Sequence, residues 1–267
     1  MTWGSFGTVH LVTLALAVLL NVLVYLFIRN KSRSVQILFL FLLSLIGAGF
    51  VAYDIFSNAD DILRHLPLSF WSLNMLLLPF AVVTRGKRIC NCLLIWSAAS
   101  IIALVFNSAM AKIDIWSWEF IIFFLAHVFS AGIPILLFEM KLVNRDTDTV
   151  KLTLFATISA YISVHVLNLV INSSNEWSIN NGVNYMATLE SNSSLLDFFY
   201  ALIPSEFWYM VLALPLLFVY IVYWYLPEIL DQRRRNKPLR EKLHDIDRYY
   251  DAYEEEYIDE IIKKKYK

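Results

Sequence analysis

The chain has 267 residues, of which 58% are hydrophobic and 17% charged, with a formal net charge of −1. Charge concentrates in the last 40 positions, so the first 226 residues carry too little polar surface to cover their apolar helices in water. That excludes a soluble globular body and predicts an all-α, polytopic membrane protein. Residues 1–227 form the membrane domain and residues 228–267 a charged, Tyr-rich cytoplasmic tail.

Seven apolar stretches are predicted to span the bilayer, at 7–28, 36–56, 66–84, 89–107, 116–138, 152–172 and 204–226. The third and fourth are short and joined by the tight loop Thr84–Ile89. Twenty of the 22 Lys and Arg residues fall on one side of this arrangement. Arg29, Lys31 and Arg33 follow the first span, Arg85, Lys87 and Arg88 the third, Lys141, Arg145 and Lys151 the fifth, and eleven more the seventh. Opposite loops hold only Arg64 and Lys112. By the positive-inside rule the N-terminus is outside and the C-terminus inside. Trp116 and Trp118 mark an outer interface, and Tyr223, Trp224 and Tyr225 an inner one. The first span lacks a basic leader and is read as retained rather than cleaved. Cys90 and Cys92 fall at the inner end of the fourth span, two residues apart and on different helix faces, as ordinary small residues.

The connection from Ser173 to Ile203 is the one long loop. It carries Glu176, Glu190 and Asp197, five asparagines between Asn175 and Asn192, and no basic residue. Its second half, with Leu195, Leu196, Phe198 and Phe199, is too apolar to float free. It therefore reads as a short interfacial helix or a partly re-entrant lid. The tail opens on Arg233, Arg234 and Arg235, placed to meet anionic inner-leaflet lipid. Leu243, Ile246, Tyr250, Tyr253, Tyr257 and Ile261 then recur at three- and four-residue steps as one helical stripe. That stripe can dock a membrane or cytoplasmic protein subunit, self-associate, or pack beneath the protein's own inner loops. The acidic run Asp251–Glu260 argues against nucleic acid as a partner.

Polar groups inside spans are costly and often mark function. With orientation assigned, His10, Ser69, Ser72, Asn107, His165 and Asn168 lie toward the outer side, and His127 near the midplane. This clustering in depth predicts a polar cavity opening to the outer leaflet under the acidic loop. Its lining would include Asn184 and Tyr185 of that loop and Trp71 of the third span. Histidines there can transfer protons, bind a metal or hold helices together. Their spacing in the sequence specifies no metal site, and no cofactor is implied. Ser69, Ser72 and Ser130 are the candidate nucleophiles, with Ser130 three residues after His127. Pro79, Pro134 and Pro215 can kink their helices, and Ser44, Ala48 and Ala52 form a small-residue seam in the second span.

Several segments carry a family resemblance over residues 6–227: Phe6-Gly7-Thr8-Val9-His10-Leu11, Leu66-Pro67-Leu68, Leu76-Leu77-Leu78-Pro79, Phe123-Phe124-Leu125-Ala126-His127, Asn184-Tyr185-Met186, Ser194-Leu195-Leu196-Asp197 and Trp208-Tyr209. In these the chain resembles the YwaF-like bacterial integral membrane proteins. They are related to a eukaryotic acyltransferase that moves a polyunsaturated acyl chain onto lyso-ether phospholipid. The resemblance implies a bacterial cytoplasmic membrane location. It also implies a third-span segment Leu-Pro-Leu-His-Leu-Cys, whose cysteine accepts the acyl chain with the fifth-span histidine as its partner. Here His127 is kept, but Leu66-Pro67-Leu68-Ser69-Phe70-Trp71 puts Ser69 at the histidine and Trp71 at the cysteine position. An indole cannot form a thioester. The expected function is therefore that of a non-catalytic relative that binds membrane phospholipid or joins a complex. The alternatives are an acyltransferase or lipid hydrolase using Ser69 or Ser72 with His127, and a small-solute or lipid transporter component.

Overall fold

The computed structural model describes residues 2–106, 109–173, 182–232 and 234. Among these, eight helices follow one another: α1 Thr8–Ile28, α2 Arg33–Ser57, α3 Phe70–Thr84, α4 Lys87–Phe106, α5 Trp118–Glu139, α6 Thr147–Ser173, α7 Ser194–Leu202 and α8 Trp208–Gln232. The first turns of α8 are 3₁₀. All but α3 and α7 are long and apolar enough to cross a membrane, which makes six such helices and a multi-pass membrane protein. The chain divides between Val222 and Tyr223 into two units. In the second, the described residues continue the helix, with the Tyr223 and Trp224 rings edge to face at 5.2 Å.

The third predicted span begins later than residue 66. Pro67 lacks an amide hydrogen, Leu66–Ser69 bends without entering the helix as Leu68 N bonds Leu66 O at 2.8 Å, and Ser69 caps α3. What remains is 15 residues, about 22 Å of rise. It is nonetheless central, with Ser72, Asn74, Met75, Leu78, Ala81 and Val82 all buried. It packs on α2, α4 and α5. α5 is the most enclosed long helix and α1 and α8 the most peripheral. The outward residues are as apolar as the core: Val12 and Val18 of α1, Phe155 of α6, and Phe218 and Val219 of α8 are all exposed. A bundle with an oily outside is the expected form in hydrocarbon.

The covered face of α2 is Gln36, Leu40, Ser44, Gly47 and Val51, so Ser44 joins Gly47 in the close-packing seam that was expected to continue through Ala48 and Ala52. A Cβ on Gly47 would overlap the Met75 side chain of α3. Cys90 and Cys92 are free thiols, with Cys90 Sγ pointing at Ala81 O, 3.5 Å away.

Two prolines sit inside the central helices, Pro79 in α3 and Pro134 in α5. Pro134 has no N–H to give to Ser130 O, which leaves that buried carbonyl without its helical donor. Asn74 of α3 supplies one instead. Its Nδ2 donates to Ser130 O at 3.0 Å and to Ser130 Oγ at 3.2 Å, and reaches Leu93 O of α4 at 3.4 Å. Ser100 Oγ donates to Ser130 Oγ at 2.7 Å, and Ser130 Oγ donates to Trp71 O at 3.3 Å. Three helices are thus tied at one buried point. Substituting Asn74→Ala strands Ser130 O and is expected to cost about 1–2 kcal/mol, the upper range for interhelical bonds in membranes. Unfolding of the detergent-solubilised variant checks this, and an unchanged midpoint would refute it.

At the opposite end of α5, Asn91 Oδ1 accepts from Asp146 N at 3.0 Å, and Asn91 Nδ2 donates to Asn144 O at 3.3 Å. Asp146 leads into α6. Its carboxylate accepts from the Thr149 hydroxyl at 2.6 Å and pairs with Lys87 at 3.3 Å. The Thr149 hydroxyl foremost, and then Lys87, hold the Asp146 carboxyl below the ordinary carboxylate range. A lowered pKa gives stability that is present above the unfolded-state value and lost as pH falls through the folded one. Asp146→Asn is therefore expected to lower stability at neutral and alkaline pH and to flatten the acid limb, the two proteins converging as pH falls through the folded-state value. Melting points taken from pH 7 down to about 3 test this.

Candidate functional site

The predicted site residues lie at the end of the bundle where α1, α3 and α5 begin and α4 and α6 finish. The local sequence sets each one. His10 sits in the first turn of α1, and its Nδ1 accepts from Phe6 N at 2.8 Å. That fixes the proton on Nε2, which donates to Leu104 O of α4 at 2.9 Å. With both nitrogens engaged, His10 has no lone pair left for a metal. No three His, Cys, Asp or Glu residues converge among the described residues.

The N-terminal segment closes over this end. Trp3 is buried, its backbone N–H bonds Ile113 O at 3.0 Å, and its indole Nε1 donates to Thr13 Oγ1 at 2.6 Å. Its ring meets His10 at 4.7 Å, Phe120 at 5.3 Å and Phe123 at 5.8 Å. Phe123 in turn lies 4.1 Å from the His127 ring, and Trp71 lies 4.5 Å from it on the α3 side. One aromatic chain thus runs from His10 through Trp3 and Phe123 to His127 and Trp71. His127 Nδ1 donates to Phe123 O one turn back at 2.8 Å, which leaves Nε2 as the acceptor nitrogen.

The serines are committed elsewhere. Ser69 Oγ accepts from Ser72 N at 3.3 Å, Ser72 Oγ accepts from Ser69 N at 3.2 Å, and the two hydroxyls lie 2.7 Å apart. This reciprocal pair is the capping box that starts α3. Ser130 is wholly buried in the Asn74 network. His127 is bonded to none of the three.

Beside this group the long loop folds onto α6, held by asparagine amides. Asn168 Nδ2 donates to Tyr185 O at 3.0 Å and to Thr188 Oγ1 at 2.8 Å, while its Oδ1 accepts from Tyr185 N at 3.1 Å. Asn172 holds both the N–H and the C=O of Val183, at 2.7 and 2.9 Å. Asn184 accepts from Leu189 N at 3.0 Å and donates to Glu190 O at 2.8 Å. The Tyr209 hydroxyl donates to Ala187 O. These bonds secure a left-handed pair, Met186 at φ 55° and Ala187 at φ 52°, which bulky residues adopt at a cost of about 1–2 kcal/mol each. Gly182, at φ 66°, has no room for a Cβ beside Asn172 Oδ1. The expected short helix is α7, started by Ser193 Oγ accepting from Leu196 N at 3.3 Å, with Leu196 and Phe199 buried and Phe198 exposed. Burial first, and the nearby Asp61 carboxylate second, push the Tyr185 phenol up to about 12. His165 lies against Phe207, with rings 4.9 Å apart and its Nδ1 buried without a partner.

The residues foreseen as one polar cavity therefore fall into three packed settings: His10, Trp71 and His127 along the aromatic chain, Ser69 at the α3 cap, and His165, Asn168, Asn184 and Tyr185 around the folded loop. Polar groups in hydrocarbon are best satisfied by one another, and here they have closed up. Asn107 lies outside the described residues, as do Leu243, Ile246, Tyr250, Tyr253, Tyr257 and Ile261 of the tail stripe. A cavity of about 560 Å³ between α1, α4 and α5 is instead largely apolar. Sequence reasoning passed over Trp3, Asn74, Asn172 and Tyr209. A lone Asn in the apolar run Phe70–Phe80, beside a proline-bearing α5, was the available signal for Asn74.

Asn168→Ala removes three bonds to buried loop backbone and side chain. It is expected to cost about 1–3 kcal/mol, the penalty for stranded buried groups. Amide exchange at Tyr185 should accelerate with it, and exchange as slow as in the parent protein would contradict this assignment. A family model described as the TMEM164 family matches residues 5–225. No curated protein and no solved structure matches the chain.

Proposed function

The chain belongs to the TMEM164 family, and on that footing we propose that it binds membrane lipid or a membrane partner without performing acyl transfer. The observation that carries this reading is the seat of Trp71. Where the resemblance to the YwaF-like proteins and their acyltransferase relatives places a nucleophilic cysteine, the indole ring lies 4.5 Å from His127. Thioester chemistry needs a thiol that gives its proton to the imidazole, attacks a carbonyl carbon and expels the leaving group. An indole offers no such atom. The serine alternative lacks support as well, since Ser69 and Ser72 bond each other and the start of α3.

In the same reading α3 is the seventh crossing. It is short for a free-standing span, but its neighbours α2, α4 and α5 enclose it. With the basic loops inside, the N-terminus and the α6–α7 loop are outside, and the tail enters the cytoplasm of a bacterium. The tail stripe from Leu243 to Ile261 is the proposed dock for a protein subunit.

One observation favours a second reading. His127 Nε2 keeps its lone pair with Nδ1 tethered to Phe123 O, the posture of a general base. The experiment that separates the two is an acyl-transfer assay in nanodiscs with a lysophospholipid acceptor and a phospholipid donor. The parent protein is expected to give no transfer above empty nanodiscs. Transfer that falls by about 10²–10⁴ in His127→Ala would establish the enzymatic reading and overturn ours. Trp71→Cys places a thiol beside His127, and an acyl thioester detected by mass on that variant alone would support the assigned geometry.

A further inference from the structure

The apolar cavity between α1, α4 and α5 is far from Trp71 in character and separate from the polar groups at the loop end. Its volume is about 560 Å³. Along α1 it extends from Leu14 to Tyr25, about 17 Å of helix. A space of that volume drawn out over that length suits a slender chain better than a compact group. One extended hydrocarbon chain fits. Its floor exists because Ala17, Ala131 and Gly132 are small, and a Cβ on Gly132 would overlap Asn21 Oδ1.

The two ends differ. Toward the loop end the channel is stopped by the cluster of Trp3, Leu104, Phe120, Phe124 and Val128, with Leu14 packed against it. At the other end stand the Tyr25 hydroxyl and the Glu139 carboxylate. Arg145 bonds Glu139 at 2.7 Å, and Arg29 lies 6.0 Å from the Tyr25 ring. The side is open: Val18 and Val22 both line the channel and are exposed on the outer face of α1, on the same belt as Leu19 and Leu26. What meets that belt is hydrocarbon. Along most of its length the lining offers water few hydrogen-bond partners, whereas hydrocarbon matches it.

We propose that this channel holds one acyl chain of a membrane glycerolipid, methyl end against the Trp3 cluster and ester end at Tyr25 and Glu139. The lipid enters sideways past Val18 and Val22, and its polar part stays at the end of the bundle opposite the folded loop. This names the ligand and the place for the lipid-binding reading above. It does not depend on whether acyl transfer occurs, because the test reads occupancy alone.

The test uses the full chain in nanodiscs of phosphatidylethanolamine and phosphatidylglycerol. They carry a trace of phospholipid bearing a photoreactive diazirine either on the terminal carbon of one acyl chain or next to its carboxyl. The terminal probe is expected to label peptides around Leu14 and Leu104, and the carboxyl-side probe those around Tyr25 and Glu139. Val18→Trp fills the mouth at an exposed position that tolerates bulk. It should remove most of the labelling in the channel, because the indole takes the volume that the chain would occupy and its packing contacts with the wall. Labelling at outward-facing Phe155 and Phe218 should stay unchanged. Ile101→Phe, from the α4 side, serves as the second variant and should act alike. Labelling at Leu104 no stronger than at Phe155, a reversed order of the two probes, insensitivity to both variants, or cross-links to a second copy or another protein in place of lipid would each overturn the proposal.

Discussion

Within hydrocarbon no water takes over a hydrogen bond that the protein leaves unmade, and Pro134 creates such a debt at Ser130 O in the most enclosed helix of the bundle. Asn74 answers it from α3. The consequences spread outward. Satisfying Ser130 draws α3 against α5, and the Ser100 hydroxyl brings α4 to the same point. A short helix that could not stand alone in a bilayer is thereby held at the centre of a longer set. Its own first turn is prepaired by Ser69 and Ser72, whose hydroxyls take up each other's backbone amides.

The same constraint governs the long loop. A connection that leaves regular structure beside a membrane helix must find partners for each peptide group it turns inward. Amide side chains suit this because one group both donates and accepts. Asn168, Asn172 and Asn184 each bind backbone, and two of them bind both the N–H and the C=O of one residue. The amides of Asn168 and Asn172 on α6, with Asn184 of the loop, thus serve to hold the described part of the loop against that helix.

Composition and charge made the membrane class plain, and six of the predicted stretches appear as long apolar helices with ends within a few residues of expectation. Those properties are additive along the chain, and a window of sequence contains them. The third stretch was harder, because Pro67 and the Ser69 cap shorten the helix while its hydropathy runs on. The site was legible only by depth. His10 was read as lying toward one side and His127 near the midplane, and whether a ring nitrogen is free depends on contacts such as Phe6 N and Phe123 O that no spacing rule specifies. Trp3 was missed because a residue outside every span gives no periodic signal, although it is among the most buried in the chain.

The aromatic chain and the surroundings of His127 meet at Trp71. A cysteine at that position would leave the His127 ring beside a small side chain and open space. The indole fills that space, joins the rings of Phe123 and Trp3 in series, and brings large apolar area into the core. The end of the bundle where α1 begins is a packed cap over the channel between α1, α4 and α5. Small residues keep that channel open on one side of Asn21, and the cap closes its upper end. Stability gained at the cap and space retained below it are two outcomes of one rule. Bulky rings close the bundle where α1 begins, and alanine and glycine hold it apart where α1 descends.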